Sequence, residues 1–167
     1  MKSLIRIALV ALAGCQAVAQ QIPTTEGKTL DDKTVSISRE IAGKRALLIV
    51  TFSKAAGEKA AAWTKALQEN GVLDGRVAFY QIAHLQEVPR LFRGMAVSGI
   101  SRGLPKERKS TFVILTTDLD AWNAIAAKEK DELPSLLLIG ASGNIEHRVH
   151  AELTKENLRL LLSKIPR

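Results

Sequence analysis

Cysteine is almost absent from this chain of 167 residues: Cys15 is the single one. No intramolecular disulfide can form, and a core of this size does not need one. Glycine-rich phosphate loops are missing too, as are internal repeats and low-complexity tracts. No apolar run is long enough to cross a bilayer, the longest near the start being residues 7–13. Only three histidines occur, His84, His147 and His150. His147 and His150 stand three apart on an expected strand, which turns them to opposite faces, so no metal site and no cofactor are expected. A formal charge of +7 gives no strong polyanion signal, and nucleic acid is not an expected partner.

What is present fits one globular domain, with 46% hydrophobic and 25% charged residues. The start reads as an export leader: Lys2 and Arg6, a short apolar run, then small residues. Two processing sites overlap. Ala17-Val18-Ala19 suits ordinary signal peptidase and would leave Gln20 first, so residues 1–19 form the leader. Leu12-Ala13-Gly14-Cys15 resembles a lipobox, which would end the leader at residue 14 and lipidate Cys15. Either route predicts an exported, periplasmic or otherwise extracytoplasmic protein. Loss of Lys2 and Arg6 lowers the formal charge to +5. The remaining excess is concentrated in Arg90, Arg93, Arg102, Lys106, Arg108 and Lys109, opposed only by Glu107. Such a basic surface suits an anionic membrane as partner.

Residues 20–32 read as a polar lead-in and 33–167 as the domain. Alternation at 34–38 predicts a half-exposed strand, and the branched apolar run at 45–52 a strand buried on both faces. Ala56, Ala60, Trp63 and Leu67 share one helical stripe that stops near Asn70-Gly71, with Trp63 in the core. Residues 77–82 form a second buried strand, and 88–100 a helix with Pro89 in its first turn. A third strand at 111–115 precedes a helix over 119–127 capped by Asp118, with Asp120 in its first turn. Strands at 135–139 and 145–149 form a hairpin, and Leu158, Leu161, Leu162 and Ile165 mark a closing helix that starts at Thr154. This order predicts an α/β fold, a central mixed β-sheet with helices on both faces.

That order, with Leu133-Pro134-Ser135-Leu136-Leu137-Leu138-Ile139-Gly140-Ala141-Ser142-Gly143-Asn144-Ile145, resembles the thioredoxin-like superfamily, most of all the branch of peroxiredoxins and exported thiol-disulfide proteins. In that family a proline, usually cis, opens the strand before a glycine-containing hairpin, and Pro134 matches it. The resemblance spans roughly residues 34–164. The family's Cys-x-x-Cys begins five residues after a strand-ending Phe; counted from Phe52, those positions hold Gly57 and Ala60. The resemblance without the sulfurs implies a redox-inactive protein, not an enzyme, with no thiol-disulfide or peroxidase activity. Its groove would hold a protein or peptide partner through Ser53, Gly57, His84, Leu133 and Pro134. Thr51-Phe52-Ser53, Trp63 and Phe79-Tyr80-Gln81-Ile82, with the long basic stretch, also look similar to the mitochondrial ATP synthase assembly-factor family, which would imply a chaperone or assembly factor. The alternatives are an enzyme using non-cysteine groups such as His84 in the same cleft, and a peripheral membrane or cell-wall binder. Ser53 lies in no Gly-x-Ser-x-Gly context, and its expected role is a helix cap.

Overall fold

A computed structural model of the chain describes residues 20–126 and 132–166. The expected leader, Cys15 and the end of the helix at 119–127 lie outside those residues. The described strands are β1 (Glu26–Thr29), β2 (Thr34–Ser36), β3 (Ala46–Thr51), β4 (Ala78–His84), β5 (Phe112–Leu115), β6 (Ser135–Ile139) and β7 (Ile145–His150). The helices are α1 (Ile37–Glu40), α2 (Lys54–Glu69), α3 (Arg90–Arg102), α4 (Leu119–Ala126) and α5 (Lys155–Lys164). The strands form one sheet in the order β2-β1-β5-β4-β3-β6-β7. β3, β4 and β5 run parallel, and β6 and β7 are the predicted antiparallel hairpin.

The period of two along a strand sorts the core. Leu48 and Val50 of β3 and Leu137 and Ile139 of β6 point into one cluster with Ile37, Ile41, Trp122 and Ile125. Leu47, Ile49, Leu136 and Leu138 point into the other, with Ala60, Trp63, Leu67, Leu161 and Ile165. Thus α1 and α4 cover one face, α2 and α5 the other. Helix α3 joins the second face through a smaller cluster of Ala83, Phe112 and Ile114, against which Val97 and Ile100 pack. Trp63 is fully buried as expected, and its indole N–H donates to the Ala151 carbonyl at 3.0 Å.

Three segments depart from the sequence reading. Residues 20–32 are not merely a lead-in: they contain β1, and Ile22 and Thr25 are buried. Trp122 donates its indole N–H to Thr25 Oγ1 at 3.0 Å, and Thr25 in turn donates to Asp118 Oδ2 at 2.9 Å. A polar stretch therefore earns its place by hydrogen bonds and close backbone packing that hydrophobic periodicity does not register. Asp118 spends its carboxylate on Thr25 and takes φ 61°; the Leu119 N–H is instead capped by Gln86 Oε1 at 3.1 Å. The strand expected at 34–38 stops at Ser36, where Ile37 turns into the core as the first residue of α1. A short 3-10 turn, Lys106–Thr111, which the sequence pattern does not announce, closes the loop before β5.

Gly27 of β1 lies where only glycine fits. A Cβ there would sit 2.6 Å from Leu115 Cδ2 and from Val113 Cγ1, and 2.8 Å from the Ile114 carbonyl oxygen. The carbonyl belongs to β5 and cannot swing away. Gly27→Ala is expected to destabilise the fold by about 1–3 kcal/mol, the usual range for overpacking, as a lower midpoint in urea denaturation. An unchanged midpoint would show that β1 does not press on β5 as described.

Candidate functional site

The site is built at the carboxyl end of β3. Pairing of β3 with β4 aligns Thr51 with Ala83, and pairing with β6 aligns Val50 with Ser135. The residues that follow β3 are thereby set between the end of β4, at His84, and the start of β6, at Pro134. Thr51 Oγ1 donates to the Ile82 carbonyl at 3.1 Å and fixes the last turn of this seam. Phe52 stacks on His84 with ring centroids 5.8 Å apart and planes 26° apart.

Helix α2 begins at once after this strand. Ser53 is its N-cap, and the hydroxyl oxygen accepts from the Ala56 N–H at 3.1 Å, the role its sequence context predicted. The Gly57 N–H donates to the Ser53 carbonyl at 3.0 Å. Within a helix the first N–H groups have no carbonyl to bond, which here leaves those of Lys54 and Ala55. No acidic residue stands in the first turn of α2. The positive end of the helix dipole is therefore opposed by no carboxylate of that turn. Lys54 adds an exposed cation; its pairing with Glu58 at 3.8 Å is solvent-exposed and weak.

Gly57, counted as the first motif position, lies one turn inside α2 and not at its start; Ala60 is buried. The position at the helix's tip is Ser53. A Cβ on Gly57 would meet no atom within 4 Å, so that position is open in space. Pro134 is buried and Leu133 half-buried beside it. Among the described residues no peptide bond is cis, so Leu133-Pro134 is trans.

His84 does not line the groove as its place in the sequence suggested. It is 3% exposed, and Nε2 lies 2.8 Å from the Thr117 carbonyl, to which it must donate since a carbonyl oxygen only accepts. It backs Phe52 and anchors the loop after β5. The sequence reading also missed Ser135, whose hydroxyl donates to the Ala126 carbonyl at 3.1 Å and lies 2.8 Å from His150 Nδ1. With its one proton committed to Ala126, Ser135 accepts from His150, so this pair is a fixed strut beneath Pro134 and not a serine primed by a base. Only the hairpin register, which sets Ser135 opposite His150, could have revealed it. Among the described residues, no group of three or more His, Cys, Asp or Glu side chains comes together to hold a metal ion.

The basic residues differ in how far the fold engages them. Arg108 is half-buried: its Nη2 donates to Gln81 Oε1 at 2.5 Å, and its guanidinium lies 5.2 Å from the centre of the Phe79 ring. Burial lowers its pKa from the ordinary arginine value. Arg93 donates to the carbonyls of Val88 at 2.8 Å and Gln86 at 2.9 Å, tying α3 to the loop before it. Arg90, Arg102 and Lys106 are exposed and Lys109 half-exposed.

No protein-family profile matches the chain, and no curated protein does. Solved structures share its fold. The exposed lipoprotein thioredoxin Etrx1 of Streptococcus pneumoniae is 14% identical with TM-score 0.59, covering 83% of this chain and 97% of that one. A thiol:disulfide interchange protein DsbE from Chlorobium tepidum is 15% identical with TM-score 0.58, covering 88% and 94%. BsSco, of the Sco family of cytochrome c oxidase assembly proteins, is 13% identical with TM-score 0.57, covering 87% and 92%. The fold is thus thioredoxin-like, as the strand order predicted. These structures give the ATP synthase assembly-factor resemblance no support. They also overturn the expectation of a redox-inactive protein that acts by binding alone: the fold is the one shared by thiol:disulfide interchange and Sco proteins.

The tip of α2 can be read with a thiol. In a Cys15→Ser background, Ser53→Cys is expected to titrate roughly half a unit below the free-thiol value of about 8.5, and Gly57→Cys closer to that value. The pH dependence of alkylation by iodoacetamide measures both. A Ser53→Cys thiol titrating at or above the free value would contradict the described electrostatics.

Proposed function

We propose that the chain works in extracytoplasmic thiol-disulfide exchange on sulfurs that a client brings. An extended client segment lies across the end of β3, against Ser53 and Leu133. Its cysteine approaches the N–H groups of Lys54 and Ala55. There the helix end favours the thiolate over the thiol, and the thiolate is the form that attacks.

The exchange balances without a sulfur of this chain. The client thiolate gives its electron pair to one sulfur of a disulfide carried by a second molecule. A new S–S bond forms, and the displaced sulfur leaves as a thiolate with the pair of the broken bond. A second client thiolate then resolves the mixed disulfide, so that the client is oxidised and the second molecule reduced. The role of this chain is to raise the thiolate fraction and orient it.

The single observation that carries this reading is the placement of the α2 N-terminus, capped by Ser53 and with no acidic residue in its first turn, between the ends of β4 and β6. Support for the location comes from the leader-like start and from fold neighbours described as an exposed lipoprotein and as a secreted disulfide oxidoreductase. Lipidation of Cys15 would add a membrane tether and leave the exchange unchanged.

The test uses the Cys15→Ser protein and an extended dithiol peptide at neutral pH. Oxidation of the peptide by glutathione disulfide is expected to run roughly 2- to 5-fold faster with the protein than without it, the range a helix end of about 0.3–1 kcal/mol supplies. Ala55→Glu, which places a carboxylate in the first turn, is expected to abolish the gain. Equal rates with and without protein, over a set of peptides of varied sequence, would refute the proposal.

A further inference from the structure

Helix α3 carries apolar side chains on two opposite faces. At 100° per residue, Val97 and Ile100 share the side that packs on Phe112 and Ile114, while Leu91 and Met95, four apart, point the other way with Phe92 beside them. Leu91 is 92% exposed, Met95 69% and Phe92 55%. No residue of α3 is fully buried, so the body of the protein offers these three no cover. Isolated exposed apolar residues are ordinary, but three on one helical face mark a surface that meets something.

The charges name the partner. Helix α3 contains no acidic residue, and Arg90 and Arg102 stand exposed at its two ends. Beyond it Lys106 and Lys109 continue the basic run, with Glu107 the one acid. Arg93 and Arg108 contribute little outward, since their guanidiniums are engaged within the fold. Apolar anchors bracketed by cations, on a helix lying flat on its domain, match the layering of a bilayer surface: acyl boundary inside, anionic headgroups outside. The leader-like start brings an exported chain to such a surface.

We propose that α3 docks this protein on an anionic lipid surface, with Leu91, Phe92 and Met95 entering the interface and Arg90, Arg102, Lys106 and Lys109 contacting headgroup phosphates. The docking is independent of the exchange at Ser53. Its strength falls with salt through the basic contacts and with loss of the apolar anchors.

The protein purified from the envelope, in the form the cell makes, is mixed with vesicles of phosphatidylcholine alone or with phosphatidylglycerol, and binding is read by co-sedimentation. Any N-terminal lipid contributes equally to wild type and variants. Anionic vesicles are expected to bind wild type at least roughly tenfold more tightly than neutral ones, with most of that gain lost at about 0.5 M salt. Leu91→Ser with Met95→Ser, and separately Arg90→Gln with Arg102→Gln, are each expected to remove most of the gain without changing the thermal midpoint. Equal binding to both vesicle types, or an apolar variant that keeps the whole gain, overturns the proposal. So does an apolar variant that still binds vesicles but loses a co-purifying protein, which would assign the face to a protein partner.

Discussion

Strand β3 is enclosed on both faces, and every residue from Ala46 to Thr51 is buried. Such a strand cannot slip in register: a shift of one residue would exchange Leu48 and Val50 with Leu47 and Ile49 between two differently shaped cores. β4 on one side and β6 on the other are aligned to it, and those alignments bring the end of β4 and the start of β6 to the same level. The location of Phe52, Ser53 and the first turn of α2 is a consequence. Burial of a short apolar run thus fixes the coordinates of a polar site that contains no buried charge.

Around that site the supporting groups are tied down by ordinary hydrogen bonds. His84 holds the Thr117 carbonyl, Gln86 caps α4, and Ser135 joins Ala126 to His150. Each bond contributes on the order of 1 kcal/mol, and leaving the buried His84 or Ser135 side chain unsatisfied would cost more than the bond is worth. The result is a frame around the tip of α2, where the first-turn backbone N–H groups, Ser53 and the exposed Lys54 lie. Such a frame suits orientation and modest electrostatic bias, and the proposed exchange asks no more of it.

Much of this was readable in advance. The period-two and period-3.6 patterns locate β3, β4, β6, β7, α2 and α5 to within a residue or two, and the strand order implied the thioredoxin-like sheet. Ser53 as a cap followed from its position before the Ala-rich stripe. What stayed hidden depends on contacts distant in sequence. β1 is polar outside and glycine-tight inside, so its strand character comes from fit against Val113 and Leu115. The burial of His84 and the Ser135–His150 bond follow from pairing register, and the engagement of half-buried Arg108 with Phe79 and Gln81 is a contact that composition does not register. Motif counting from Phe52 falls on Gly57 and Ala60, which lie inside α2, while Ser53 caps the start of that helix. The missing Cys-x-x-Cys was read as a redox-inactive protein, a step that the fold shared with thiol:disulfide interchange and Sco proteins does not support.

The central claim is electrostatic: the first turn of α2 favours a negative sulfur presented to it from outside. The most direct measurement is the titration of a single cysteine in a bound peptide, followed by the ¹³Cβ chemical shift of that residue with and without the protein. The account predicts a midpoint in the complex below the free-thiol value of about 8.5. A midpoint unchanged or raised on binding would contradict it.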